Sequence, residues 1–323
     1  MDISSFSKFE VSGPDARGFL DALIPNALPG KDGCVILTHF LNRKGTIEAE
    51  VTILRRAHDR YYITNAAFFE QRVMDHLTFH NGDANVTLTN LSQSYGALAL
   101  QGPASRDILA PNTGAALNNA SFPWLTAQTI DIAGHSAVAI RMSYGGELGW
   151  ELHAPMAAIK PIYDALMSTG KPQGLINYGS FAMNVMRMEK GFKGAGELTN
   201  EVTLQEADVM RFVKPEKQFL GKSASLAHPL RWICAYLEIA PDGSTDGHGG
   251  EAVQLNGKTV GATSSVAYAP TVGKILAFAY LHPSAAKPGT KLTTLIHGHP
   301  RPTIVRDTPA YDPNNLKPRT DMP

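Results

Sequence analysis

The chain has 323 residues, more than one hydrophobic core usually serves, so two or three packed units are expected. Lys plus Arg and Asp plus Glu both number 29, and with no basic run there is no electrostatic footprint for nucleic acid or a lipid surface. No uncharged apolar stretch approaches the ~20 residues that span a bilayer, and MDISSFSKFE reads as neither a secretory nor a mitochondrial leader, so a soluble, cytoplasmic protein is expected.

In chain order, β-rich runs bounded by Gly, Pro, Asn or Asp fall at 6–11, 34–41, 46–56, 60–65, 94–101, 126–131, 136–142 and 148–153. Helical periods interrupt them at 15–24, after Gly13-Pro14-Asp15, and at 66–80, 103–110, 156–168 and 179–190. Their spacing is too irregular for repeated βαβ units. The class is α+β with mostly antiparallel sheets. Past Lys214 the character changes. Trp232 to Val305 carries β runs and turns without a helical period, and Asn256-Gly257 is a type I′ hairpin signal. The expected organisation is one region over 1–214, a linker over 215–230 and a C-terminal β domain over 231–323. Cys34 and Cys234 sit in apolar runs with no metal spacing and read as buried free thiols.

Two strands carry carboxylates. In SYGGELGWELH, Leu148, Trp150 and Leu152 share one face, and Glu147, Gly149, Glu151 and His153 the other. Ionised Glu is rarely buried without a partner, so the pattern alone favours a wet second face. A sharper reading is that Gly149 leaves room for a flat ring, that Tyr144 flanks it, and that Glu151 accepts two parallel N–H bonds from a planar fork such as the 2-aminopyrimidinone edge of a pterin. Other amino heterocycles fit that description too. In LNRKGTIEAEVTIL, Glu48 and Glu50 share a face, with Cα atoms roughly 6.5–7 Å apart by strand rise. That permits paired acid and base work, glycoside hydrolysis included, or simply a solvated face after the Asn42-Arg43-Lys44-Gly45 turn.

Other groups read more simply. His76 and His80 are spaced i, i+4 on a helix without a third ligand, as surface or capping residues. His297-Gly298-His299-Pro300 reads as a polar turn. Thr203 to Val213, with Glu206 and Arg211, reads as a solvated helix or turn. Neither a dinucleotide fingerprint nor a P-loop is present, so no site for flavin or NAD is visible.

Taken in order, DISSFSKFEVSGPDARGFL, LNRKGTIEAEVTI, YYITNAA, GALALQGPASRDIL, SYGGELGWELH, MRMEKGFKGAGELTNEVTLQEAD, VGATSSVAYAPTVGKILAFAYL and PAYDP resemble the folate-binding family of the glycine-cleavage T-protein. The branch most similar is the folate domain of dimethylglycine and sarcosine dehydrogenases. The resemblance implies a three-domain cloverleaf around a folate channel: a ferredoxin-like unit, an interleaved Greek-key unit and a C-terminal β barrel. It implies tetrahydrofolate as cofactor, with Tyr144 and Glu151 holding the pterin and Tyr61, Ile63 and Asn65 lining the pocket. Glu50 would be the catalytic carboxylate near the reactive nitrogens. Where T-proteins use an Arg early in a helix this chain has Met183, and Arg187, one turn on, is expected to serve that edge. KGFKGAGE at 190–197 is similar to the signature of iron-sulfur-assembly relatives but has Phe192 in place of the Cys, which disfavours that chemistry. The family pattern also has a segment before DISSFSKFEVSG. With no flavin site in view, this suggests a folate-bearing subunit that captures a one-carbon unit from a methylated amine oxidised on a flavoprotein oxidoreductase partner. Direct S- or O-demethylation to 5-methyltetrahydrofolate, or folate binding without transfer, are the alternatives.

Overall fold

A computed structural model describes residues 1–243 and 247–319. The first unit holds β1 (Ser7–Ser12), α1 (Ala16–Leu23), β2 (Val35–Leu41), β3 (Ile47–Ala57), β4 (Arg60–Asn65), α2 (Glu70–His80) and β5 (Thr87–Asn90). The strands form an antiparallel sheet of order β2-β3-β4-β1-β5. Buried Ala16, Phe19, Leu20 and Leu23 of α1 recur at helical spacing, and this stripe joins Ala49, Val51, Ile53, Tyr61 and Ile63 of the sheet and Val73 and Leu77 of α2 in one apolar cluster.

The second unit contains β6 (Tyr95–Gln101), α3 (Ser105–Leu109), β7 (Ala127–Ile132), β8 (His135–Ile140), β9 (Gly149–Pro155) and α4 (Met156–Gly170). Its antiparallel sheet, β6-β9-β8-β7, buries Trp150, Leu152 and Ala154 against α3 and α4. A separate cluster joins the two sheets: Val35, Leu54 and Tyr62 of the first meet Ala127 and Ile140 of the second. The faces opposite the helices therefore look at each other.

After α5 (Ser180–Glu189) and α6 (Lys222–Ala227), β10 (Ile233–Ile239), β11 (Ala252–Leu255), β12 (Lys258–Ala269), β13 (Lys274–Leu281), β14 (Lys291–Ile296) and β15 (His299–Arg306) close a barrel in the order β10-β13-β12-β11-β14-β15. The Asn256-Gly257 turn joins β11 to β12 with both residues at positive φ, 51° and 78°, as a type I′ turn requires. Met188 of α5 packs on the barrel against Cys234, Leu276 and Phe278. The α+β class, the antiparallel sheets and the barrel are as expected, and among the described residues no helix is long and apolar enough to cross a membrane.

Several expectations change. Cys34 is only half-buried, at an isolated bridge to Thr126, whereas burial pushes the Cys234 thiol up to about 12. Glu206 is not solvated. It is buried, bonded to the backbone N–H and hydroxyl of Thr203 and paired with Arg231 at 2.9 Å. His76 is a core residue stacked on Phe40 at 5.0 Å, and His80 turns its Nδ1 back to the His76 carbonyl. His297 does lie in a tight turn, between β14 and β15.

Candidate functional site

Both faces of β9 are buried, which overturns the expectation of a wet second face. Glu151 is 9% exposed and His153 1%, and the two point toward the first sheet rather than toward α4. The cost of burying the carboxylate is met by hydrogen bonding. Glu151 Oε2 lies 3.2 Å from His153 Nε2, and His153 Nδ1 lies 3.2 Å from the Tyr62 hydroxyl, whose ring meets the imidazole edge-on at 5.6 Å. Tyr178 is close by. Burial, and then the Glu151 charge, push its phenol up, and its buried hydroxyl has no hydrogen-bond partner. The expected opening over Gly149 is filled. A Cβ there would fall 2.6 Å from the Leu100 carbonyl oxygen and 3.0 Å from Gln101 Cγ, so the glycine serves close strand packing rather than a ligand.

The two carboxylates of β3 separate in role. Glu48 is tied to Arg72 at 3.4 Å and to the Asn42 amide at 3.2 Å. Glu50 stands directly across the ladder from His39, with His39 Nε2 3.4 Å from its Oε1. His39 is fully buried against Phe212, and neither of its ring nitrogens makes a well-aligned hydrogen bond. The Glu50 side chain keeps 27% of its surface exposed. One carboxylate is held by a cation and an amide, and the other remains reachable.

Tyr144 lies in the bend before β9. It stacks on Phe192 at 6.1 Å and donates to the Lys193 carbonyl at 3.0 Å. Burial raises its phenol above the ordinary range, the Arg187 charge pulls it back, and those of Glu50 and Glu197 push it further up. Glu50, Tyr144 and Arg187 are therefore electrostatic neighbours. Arg187 is buried at the end of α5 and spends its donors within the chain: Nε to Asn184, Nη1 to the Phe192 carbonyl and Glu197, Nη2 to Ser265. Glu197, missed by sequence reasoning, is the hub. It is fully buried and accepts from Arg187, the Gly194 N–H, Ser264 and Ser265.

The expected residues of β4, Tyr61, Ile63 and Asn65, share one strand face. Tyr61 and Ile63 lie in the apolar cluster beneath α1 and α2, across the sheet from Glu50, while Tyr62, which sequence reasoning passed over, faces the second unit. Asn65, at the end of β4, is buried with both amide atoms lacking a partner. A separate cleft of about 310 Å³ runs between β6, α3 and residues 173–178. None of the expected site residues lines it. It touches the site through Tyr178 and through Gln101, whose Oε1 accepts the Gly145 N–H at 3.1 Å.

Two sheets held face to face, a following six-stranded barrel, and buried carboxylates gathered between these units describe one known architecture. Residues 1–217 match the GCVT N-terminal domain and residues 234–312 the glycine cleavage T-protein C-terminal barrel domain, and the chain belongs to this aminomethyltransferase family. The crystal structure of glycine cleavage system aminomethyltransferase T from Bartonella henselae superposes with a TM-score of 0.86 at 22% identity, covering 97% of this chain and 86% of that one. Mitochondrial dimethylglycine dehydrogenase of Homo sapiens is 32% identical over 95% of this chain. The chain spans only 36% of that dehydrogenase's length. An aminomethyltransferase of Saccharopolyspora erythraea is 29% identical, with 97% of this chain and 86% of the relative covered.

Proposed function

We propose that the chain is a tetrahydrofolate-dependent one-carbon transferase that captures an iminium or formaldehyde unit from a methylated amine and yields 5,10-methylenetetrahydrofolate. The observation that carries this reading is Glu50: a partly exposed carboxylate beside a buried histidine, whose charge reaches the Tyr144 phenol, within a family of aminomethyltransferases.

The unsatisfied polar groups suit a pterin. Tyr178 offers a hydroxyl, and Glu151 the oxygen that His153 does not engage. Glu151 would accept the amino fork, Tyr144 would wall the ring, and Arg187 would steady that wall through Phe192 and Glu197. Bound tetrahydrofolate supplies two nucleophilic amines. Glu50 lowers the energy of a cationic carbon beside it and accepts the proton released as an amine N–H gives way to N–C. His39 stands across the ladder beside it, with Nε2 3.4 Å from Oε1. The similarity to dimethylglycine dehydrogenase supports a methylated amine as the carbon source and a flavoprotein as the oxidising partner.

Glu50→Gln keeps the shape and removes the charge. Titration calorimetry with tetrahydrofolate should give nearly the wild-type affinity, while formaldehyde capture should fall about a hundredfold, within the range general acid–base groups contribute. Unchanged capture would leave folate binding without catalysis. Adding candidate flavoproteins with their methylated amines should restore turnover from amine to methylene-folate only if the partnership is right.

A further inference from the structure

We propose that Tyr62 and His153 form a positioning relay that holds Glu151 oriented as a double acceptor, so that pterin affinity is set partly by a residue of the opposite sheet. This rests on the reading of Glu151 as the pterin-holding carboxylate.

The assignment follows from donor and acceptor capacity. An ionised carboxylate only accepts, so the 3.2 Å contact between Glu151 Oε2 and His153 Nε2 puts the proton on Nε2. A neutral imidazole then has a bare Nδ1, and the Tyr62 hydroxyl, 3.2 Å away, donates to it. Burial pushes the Tyr62 phenol far up, with the Arg56 charge pulling the other way, so the hydroxyl keeps its proton throughout the working range. Tyr62 is 3% exposed and His153 1%, and solvent cannot replace either partner.

The acceptor-only carboxylate selects the tautomer, and the Tyr62 hydroxyl, able to donate or accept, adapts to it. With the proton on Nδ1, His153 would turn a lone pair toward Glu151, repelling the carboxylate and leaving its buried charge with one donor fewer. Tyr62, from β4 one sheet away, donates to Nδ1 and holds the ring so that Nε2–H is aimed at Glu151, as second partners of metal-bound histidines orient their rings. The relay also couples affinity to packing, because its two ends belong to different sheets.

The first measurement needs no folate. Nitrogen NMR of uniformly labelled wild-type protein should place His153 in the neutral Nε2–H form near pH 7, assigned by loss of its signals in His153→Gln. A Nδ1–H or doubly protonated ring overturns the relay. The second compares tetrahydrofolate affinities by calorimetry. Tyr62→Phe should weaken binding about fivefold and His153→Leu about tenfold, as expected for one hydrogen bond to a charged group. His153→Gln, whose amide can donate to Oε2, should stay within about threefold of wild type. In the His153→Leu background, Tyr62→Phe should add nothing further. Equal losses for Gln and Leu, or an additive double variant, mean that the pair only packs. If wild type itself does not bind tetrahydrofolate while the NMR shows Nε2–H, the folate reading fails and the relay stands as the positioning of a carboxylate for a different ligand.

Discussion

Glu151 has one oxygen engaged by His153 and a side chain only 12% exposed. A charge so placed is tolerated because donors meet it, and the same arrangement makes it selective. Glu151→Ala should weaken tetrahydrofolate binding by about 1–3 kcal/mol, read by calorimetry alongside a thermal melt that confirms folding; unchanged affinity would mean that the pterin is held elsewhere. That Glu151 and Glu50 each lie opposite an apolar strand face was legible in the sequence through alternation, although alternation alone favoured a wet face for both. The identity of Tyr62 was not legible. Alternation reports which side of a strand is wet, and β4 and β9 have no wet side. Tyr61 and Tyr62 are both buried, so composition gives no reason to choose between them. Pairing register does: Leu54, two alternate steps from Glu50, stands opposite Tyr62, while Ile53 stands opposite Ile63, which puts Tyr62 on the face of Glu50 and Tyr61 behind it.

Among the elements, strands and helices with a strong period are found within a few residues of expectation. Those that escaped have little period to show. β5 is four residues of mostly exposed edge, and α6 is six residues rich in Ser and Ala. Nor does local sequence announce Glu197 as a hub, since its donors come from positions as distant as Arg187 and Ser265. The helix α2 carries a pH-dependent stability. Burial, reinforced by the charge of His80, lowers His76 to about 4, against roughly 6.5 in an unfolded chain. Between those values the unfolded chain takes up a proton that the native state refuses. Stability must therefore fall as pH drops through that window, and the slope vanishes below it. The contribution is about 3 kcal/mol over the whole interval. Urea unfolding at pH 7 and pH 4.5 should show wild type losing about 2–3 kcal/mol more than His76→Gln. The carboxylates titrate in both proteins, so the difference isolates the imidazole; equal losses would place His76 in contact with water.

On the scale of the molecule, the segment between the two-sheet region and the barrel is docked along its length rather than slung between them. The Lys214 N–H donates to the Pro25 carbonyl, and that of Leu220 to the Ala22 carbonyl. Lys217 Nζ reaches the carbonyls of Ile24 and Asn26 and pairs with Asp21 at 3.1 Å. The tightest contact is with the turn that leads into the Glu50 strand. Gly45, at φ +82°, lies so close to α6 that a Cβ would fall 2.1 Å from the Ser225 nitrogen and 2.5 Å from its Cα. Both atoms are backbone, so relief requires moving α6 itself. Gly45→Ala should therefore cost about 1–2 kcal/mol for the left-handed backbone and about 1–3 more for the displaced helix. Gly30 has open space and no such φ, which makes Gly30→Ala the matched control. Urea unfolding should separate the two variants by at least about 2 kcal/mol. Limited proteolysis under native conditions should cut Gly45→Ala within 215–230 while sparing wild type and the control. If Gly45→Ala resists protease as they do and melts with them, α6 is not what holds the barrel against the hairpin, and the site depends on the packing of Met188 and the bonds of Glu197 alone.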